Sequence, residues 1–473
     1  MDDLSRLDAV ATAALISTNQ ISPIEAVDAA IARIDKLDPE LNAIVVPLFD
    51  EARAAALDPH LPDGPFRGVP IVLKDLGAQQ AGVPQYQGNR ILKELDWRPT
   101  QSSPMGKRIT KAGFIVLGKG ATPEFGAQPT TSPKAFAPTR NPWDTARSTS
   151  GSSGGSAAAV ASGMVAVAHA SDGGGSIRMP AAWCGLVGLK PSRGRTSRGA
   201  IIGRLGAEHV VSHTVRDTAA ILDALHGPEL GDLYLARPPA RPYIEEVGSD
   251  AGRLRIGILT SVEATEVDEE VVQATQRTAK LLESLGHHVE ESGPSMLFNE
   301  ELLSRAELDY ACNMRTTAEG LWASLGRELR EEDIEPYSWA RMQRIEGVTA
   351  VEHIKAAAWL QRYASRIVSW WRDFDLLLTP TTGEVPALLE ELIPPADDPW
   401  SIDIRYRKVR CFARPFNITG QPAISLPLQR SLGGLPIGVQ LVADLGAEDL
   451  LIRVSAQLEE AAPWDGHRPT VSA

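Results

Sequence analysis

Eight short apolar runs, at 43–46, 70–73, 114–117, 165–168, 256–259, 376–378, 423–426 and 437–442, constrain the fold of this chain more than any other feature. Each is too short for an ordinary helix and reads as a buried strand. Helical patterns, for example at 269–285 and 351–371, lie between many of them. Buried strands alternating with helices predict an α/β architecture with helices on both faces of a sheet. Another helix marks its own start. Ser22-Pro23-Ile24-Glu25 has the form of a capping box with proline at the first helical position, and Ile24, Val27, Ile31 and Ile34 follow at helical spacing. The loop-like Arg237-Pro238-Pro239-Ala240-Arg241-Pro242 reads as a surface connection inside one domain spanning 1–473.

Charge and cysteine usage exclude several functions. A formal net charge of −13 repels phosphate backbones and anionic headgroups, so neither a nucleic acid nor a membrane surface is an expected partner. The three cysteines, Cys184, Cys312 and Cys411, are far apart and odd in number, which gives neither a disulfide framework nor a metal-ligand spacing. The N-terminal residues lack the pattern of a signal peptide, and no apolar run approaches the roughly 20 residues of a membrane span. A soluble, cytoplasmic protein without metal or cofactor is the expectation.

The unusual composition lies between Ser148 and Ser176, where Ser150-Gly151-Ser152-Ser153-Gly154-Gly155-Ser156 is followed by Asp172-Gly173-Gly174-Gly175-Ser176. A flexible linker fits poorly, because the two runs flank a small-residue helical stretch and the apolar run 165–168. A phosphate-binding loop lacks the Gly-Lys-Ser/Thr ending. A hydrolase elbow at Ser153 matches G-x-S-x-G formally, but a turn and loop precede it where a buried strand is required, and it needs a histidine base. His169 lies within an apolar run and reads as a core residue, which leaves His209 and His213. The functional reading starts from the second run. A serine hydroxyl needs a base to remove its proton and N–H donors to hold the oxyanion that follows. Three successive glycines let the backbone aim several N–H groups at one point, with Ser176 where they converge. In Gly68-Val69-Pro70-Ile71-Val72-Leu73-Lys74-Asp75 a lysine ends an apolar strand, which read alone is a strand-end surface charge and in the functional reading is a candidate base. Burial among uncharged partners would lower its pKa from about 10.4.

Taken together these segments resemble the amidase signature enzymes. The resemblance rests on the glycine and serine runs, on Gly68 to Asp75, and on Asp172-Gly173-Gly174-Gly175-Ser176-Ile177-Arg178 and Cys184-Gly185-Leu186-Val187-Gly188-Leu189-Lys190-Pro191. Asn42-Ala43, Arg140-Asn141-Pro142-Trp143, Pro415-Phe416-Asn417 and Gly420-Gln421-Pro422-Ala423 extend it over the chain. It implies a large mixed, twisted sheet, with an N-terminal helical part at 1–60, a signature core at 65–195 and a variable substrate-side region at 240–400. It also implies Ser176 as nucleophile, Ser152 as bridging serine after a cis Gly151–Ser152 bond, and Lys74 as base, the two serines standing 24 residues apart. The backbone N–H groups of Gly173, Gly174, Gly175 and Ser176 would form the oxyanion hole. Asp172 and Arg178 would hold the loop, and Ser153 would help to position Lys74. Two positions depart from the usual pattern, Gly173 where a larger residue is common and Ser171 where threonine is common, and neither removes a functional group.

Within the family, Asp309-Tyr310 and Val368-Ser369-Trp370-Trp371-Arg372 are most similar to the branch of 6-aminohexanoate cyclic dimer hydrolases and urethanases. The implied activity is hydrolysis of a small-molecule amide through an acyl-enzyme, with carbamates and cyclic amides as alternative substrates. Gln128 and Cys312 are the expected pocket residues, Met314 competing with Cys312 for the position. A glutamine-amidotransferase A subunit, acting with partners on charged transfer RNA, carries the same three groups. The Ala-Glu-Ala-Ser-Ser-Asn type segment of those subunits is not found, which favours a free-standing hydrolase. The resemblance leaves homo-oligomerisation open.

Overall fold

A computed structural model describes residues 2–199 and 205–473. Its centre is an eleven-stranded mixed sheet ordered β1-β3-β2-β6-β8-β7-β12-β13-β11-β9-β10. The strands are β1 (Ile44–Pro47), β2 (Pro70–Lys74), β3 (Ile115–Gly120), β6 (Val167–Asp172), β7 (Val187–Lys190), β8 (Ala207–Ser212), β9 (Arg255–Ile258), β10 (His288–Glu291), β11 (Leu376–Pro380), β12 (Ala423–Arg430) and β13 (Pro436–Ala443), while β4 (Arg140–Asn141) and β5 (Asp144–Ser148) form a separate pair. All eight apolar runs fall on strands of the large sheet. The three strands beyond them are β7, β8 and β10.

The helices that matter for the site are α1 (Pro23–Leu41), α2 (Gly154–Ala161), α3 (Arg178–Cys184), α4 (Glu300–Ser324), α5 (Pro336–Gln343), α6 (Ala350–Val368) and α7 (Asp403–Arg410). Helix α1 begins as expected: Ser22 accepts from the backbone of Glu25 and Glu25 answers to the backbone of Ser22. Both faces of the sheet are covered. On β2, Val72 packs among residues of α1 and α2, whereas its neighbours Ile71 and Leu73 pack on the opposite side with Ile109 and Val210, as the strand period of two requires.

Two parallel neighbours in the middle of the sheet position the chemistry. β2 and β6 run side by side with Val72 opposite Ala168, so Lys74 and Asp172 both sit at carboxyl ends. In α/β sheets this is the edge where ligands bind. Helix α2 comes close above the strands because Gly155 has no side chain: a Cβ there would lie 2.1 Å from the backbone nitrogen of Ala121.

Candidate active site

Lys74, expected as the base, is the last residue of β2. It is completely buried, with Nζ 2.7 Å from Ser152 Oγ and 3.0 Å from Ser171 Oγ. Burial in this uncharged polar setting pulls its pKa from 10.5 down to about 7, against the opposing pull of Asp172 and Glu208. Ser152 follows a cis peptide bond from Gly151. Ser153 does not reach the lysine: its hydroxyl donates to the carbonyl of Ser171 at 3.2 Å and accepts from the N–H of Ser171 at 3.3 Å. Ser171 is thus the lysine's second hydroxyl neighbour, and Ser153 acts on Lys74 only by holding Ser171.

The turn from Asp172 to Ser176 is fixed one peptide at a time. The carbonyl of Asp172 accepts from Asn417 Nδ2 at 2.9 Å, which turns the N–H of Gly173 the other way, since the two groups of a trans peptide point in opposite directions. The carbonyl of Gly173 accepts from the hydroxyl of Tyr310, which does the same for the N–H of Gly174. The carbonyl of Gly175 accepts from the N–H of Met179 at 2.7 Å, and this orients the N–H of Ser176. The remaining peptide is held from its other side, because the N–H of Gly175 donates to Asp172 Oδ1 at 2.7 Å.

The donor set is smaller than expected by one N–H, that of Gly175. Gly175 is already engaged with Asp172 and cannot serve an oxyanion, whereas the N–H groups of Gly173, Gly174 and Ser176 have no partner among the described residues. Glycine at 175 is required for a different reason. Its φ is +119°, and a Cβ would stand 2.7 Å from the Cβ of Ala413.

Asp172 and Arg178 form an ion pair beneath the turn. Both are buried, Arg178 Nε is 2.9 Å from Asp172 Oδ2 and Nη2 is 3.0 Å from Oδ1. The guanidinium, together with Lys190 and the amide of Asn417, outweighs burial and holds the Asp172 carboxyl well below the usual range. Arg178 is itself anchored by Gln440 and Asn417, each at 2.8 Å.

Ser176, Ser152, Gly173 and Gly174 open on a cavity of about 370 Å³, which Gln128 and Met314 also line. Ser176 Oγ makes no hydrogen bond among the described residues, so its hydroxyl is unengaged beside the cavity. Cys312 faces elsewhere. It lines a second cavity of about 600 Å³ with Asp309, Asn313 and Thr316. Helical period explains the displacement: Tyr310, Met314 and Thr317 occupy the face of α4 toward the first cavity, and Asp309, Cys312 and Thr316 the adjoining face. Of the two residues that competed for the pocket, Met314 takes the place beside the serines.

No histidine touches a serine hydroxyl among the described residues. His169 pairs with Glu208 at 3.1 Å, His209 meets the carbonyl of Thr218 at 3.1 Å and His213 that of Val160 at 2.8 Å. Burial lowers the pKa of all three. The elbow alternative at Ser153 therefore has no base. Among the described residues no cluster of His, Cys, Asp or Glu is arranged to hold a metal, and no helix is long and apolar enough to cross a membrane.

Sequence reasoning missed the side of the cavity opposite the turn. Arg341, Arg410 and Arg414 line it, and Glu307 bridges two of them. Arg410 and Arg414 stand four apart beside the Pro415-Phe416-Asn417 landmark, the one signal that pointed there.

The comparisons with known proteins agree with this geometry. The amidase family matches residues 25–452. A 6-aminohexanoate-cyclic-dimer hydrolase of Pseudomonas sp. (strain NK87) is 39% identical, with 98% of this chain and 96% of that protein covered. The structure of a 6-aminohexanoate cyclic dimer hydrolase complexed with substrate superposes with a TM-score of 0.94 at 37% identity, covering 99% of this chain and 100% of the other. A bacterial aryl acylamidase of the amidase signature family gives a TM-score of 0.87 at 28% identity over 97% of both chains.

Proposed function

The chain belongs to the amidase family, and on that premise we propose that it hydrolyses a small-molecule amide with Ser176 as nucleophile and with Ser152 and Lys74 as its proton relay. It is an amidohydrolase acting on non-peptide C–N bonds. One observation carries the assignment of roles: an amine sealed from solvent, with a pKa brought to about 7, lies 2.7 Å from a serine hydroxyl that shares a cavity with Ser176.

A neutral amine has two N–H bonds and one lone pair. Lys74 in that form donates to Ser171 and accepts from Ser152, which leaves the oxygen of Ser152 ready to take a proton from Ser176. Ser176 Oγ attacks the amide carbon as its proton passes through Ser152 to Lys74. The oxyanion forms against the N–H groups of Gly173, Gly174 and Ser176, whose directions are fixed before the substrate arrives. The proton returns by the same path to the leaving nitrogen, so an amine rather than an amide anion departs. Water then resolves the acyl-enzyme in a second pass.

The cavity volume of about 370 Å³ is at the lower end of the ~300–1,000 Å³ range of small-molecule sites. With the cyclic dimer hydrolase as a relative, linear and cyclic amides of short aliphatic acids are the substrates we assign to it. The test is a panel of anilides, aliphatic amides, lactams and carbamates given to the purified protein alone, with fluorophosphonate labelling and peptide mapping. Amine release and label on Ser176 are expected. Label on Ser153, with Ser176→Ala still active, overturns the assignment.

A further inference from the structure

The cavity that holds Ser176 has an uneven distribution of charge. Arg341, Arg410 and Arg414 all line it, and each is almost wholly buried, with 4%, 5% and 2% of its surface exposed. Two carboxylates answer them. Glu307 takes Arg341 at 2.6 and 2.8 Å and Arg414 at 3.2 Å, and Asp403 takes Arg410 at 2.6 and 2.7 Å. Three guanidiniums against two carboxylates leave one positive charge without a counter-ion among the described residues. The other acids at this cavity are committed elsewhere, Asp172 to Arg178 and Glu208 to His169 and Arg198.

The surplus also has donors to offer. Each nitrogen of Arg341 already has a partner, Nε and Nη2 on Glu307 and Nη1 on the carbonyl of Ala127 at 3.0 Å. Among the described residues Arg410 bonds Asp403 through Nη2 only, and its Nε is a buried donor without a partner. Arg414 stacks over the ring of Tyr310, 4.2 Å from its centre, and its Cγ lies 4.0 Å from where a Cβ on Gly174 would stand. The surplus therefore adjoins the donors of the glycine turn. A buried cation without an anion is costly, and a guanidinium fork matches a carboxylate in shape.

We propose that Arg410 and Arg414 form a carboxylate-binding subsite, and that the enzyme selects amides that carry an acid group close to the reacting carbonyl over their neutral or cationic counterparts. This deepens the reading of Ser176 as nucleophile and rests on it. The subsite adds binding and orientation and enters no covalent step.

The experiment compares acids with neutral isosteres in two series. Glutaryl and adipoyl anilides against their terminal carboxamides place the acid on the acyl side, and N-hexanoyl-6-aminohexanoate against its carboxamide places it on the amine side. In at least one series kcat/KM of the wild type favours the acid by about 10- to 100-fold, the range of a charge-assisted contact. Arg410→Gln brings that ratio toward one, and Arg410→Lys, which keeps the charge without the fork, leaves it in between. The readout is the ratio within each folded variant, so a general loss of activity does not imitate the effect, and the wild-type ratio stands even where a variant fails to fold. Neutral isosteres that match or exceed the acids in both series overturn the subsite and leave the amidase reading intact. Where neither series is turned over, adipate must slow fluorophosphonate labelling of Ser176, and failure to do so overturns the subsite. Absence of labelling itself overturns the underlying reading.

Discussion

The glycine turn and the arginine wall face each other across one cavity and are held in different ways. Apart from Asn417 and Tyr310, the hydrogen bonds that fix the peptides of the turn come from residues 172–179 themselves. The wall has one local tie, Arg410 to Asp403 inside α7, and is otherwise held at long range. Glu307 joins Arg341, 34 positions away, to Arg414, 107 positions away, and Arg341 also holds the carbonyl of Ala127, 214 positions away. A contiguous segment can encode the first arrangement, because backbone direction is set by neighbours. The bridge from Arg341 through Glu307 to Arg414 exists only after α4, α5 and the segment that follows α7 have packed. The donors of the turn are thus set by their neighbours in sequence, and most of the wall's contacts are set at long range.

The largest expected effect comes from Lys74, which supports the turn from β2 across 97 positions through Ser171. Lys74→Ala should lower kcat/KM by about 10²–10⁴, the usual contribution of a general base. In the wild type kcat/KM should rise with pH through about 7, because the protonated amine cannot accept from Ser152 and the neutral amine can. Lys74→Arg should lose activity as fully and show no such limb, since guanidinium keeps its proton over the working range. Circular dichroism and thermal melts establish that each variant is folded. A folded Lys74→Arg protein with near wild-type turnover ends the case for this base.

The same division explains what could be read from the sequence. The eight apolar runs became strands because most of their side chains are buried in the sheet's two faces. β8 escaped notice because Glu208 and His209 interrupt it, although both are buried, Glu208 against His169 on the next strand. β7 is short and carries Gly188, and β10 is an edge strand whose side chains are partly or fully exposed, so neither shows an apolar run. At the site, Lys74, Ser152, Asp172, Ser176 and Arg178 were legible through contiguous motifs. The engagement of Gly175 with Asp172 was not, because spacing along a chain does not reveal which peptide of a turn is already satisfied. Ser171 registered only as a departure from a common threonine, yet its hydroxyl is 3.0 Å from Lys74 Nζ. The arginine wall had no contiguous motif to carry it.

Tyr310 is where the long-range half reaches into the local half, and it sharpens the comparison. Its hydroxyl holds the carbonyl of Gly173, while Arg414 stacks on its ring at 4.2 Å and Arg341 lies 5.2 Å from the ring centre. Tyr310→Phe keeps the ring and removes the tether, so the peptide between Gly173 and Gly174 is free to turn. Loss of one oxyanion donor costs about 10²–10³ in kcat, and partial loss of orientation should cost about tenfold to a hundredfold. The effect belongs in kcat, with KM little changed and the melting temperature lowered only slightly, because the donor serves the oxyanion rather than the bound amide. An equal change in KM with kcat intact would place Tyr310 in the pocket wall and detach it from the turn.

The smallest effects separate the two faces of α4. Met314 lines the cavity with Ser176, and truncating it to alanine should raise KM for a substrate that fills the pocket by about tenfold, in the range of lost apolar contact. Cys312 lines the second cavity, and its thiol is partly exposed there. Burial and the nearby Asp309 raise its pKa, so it is mostly a thiol near neutrality and offers the substrate no charge. Cys312→Ala should therefore leave kcat and KM within about twofold, the scale of surface substitutions away from a site. The pair is informative because the residues are two positions apart on one helix, so both variants perturb the same backbone to the same degree. A helix that simply tolerates alanine poorly would affect both. A large KM effect in Cys312→Ala with none in Met314→Ala would rotate α4 against the cavity, and with it the assignment of Tyr310 to the carbonyl of Gly173.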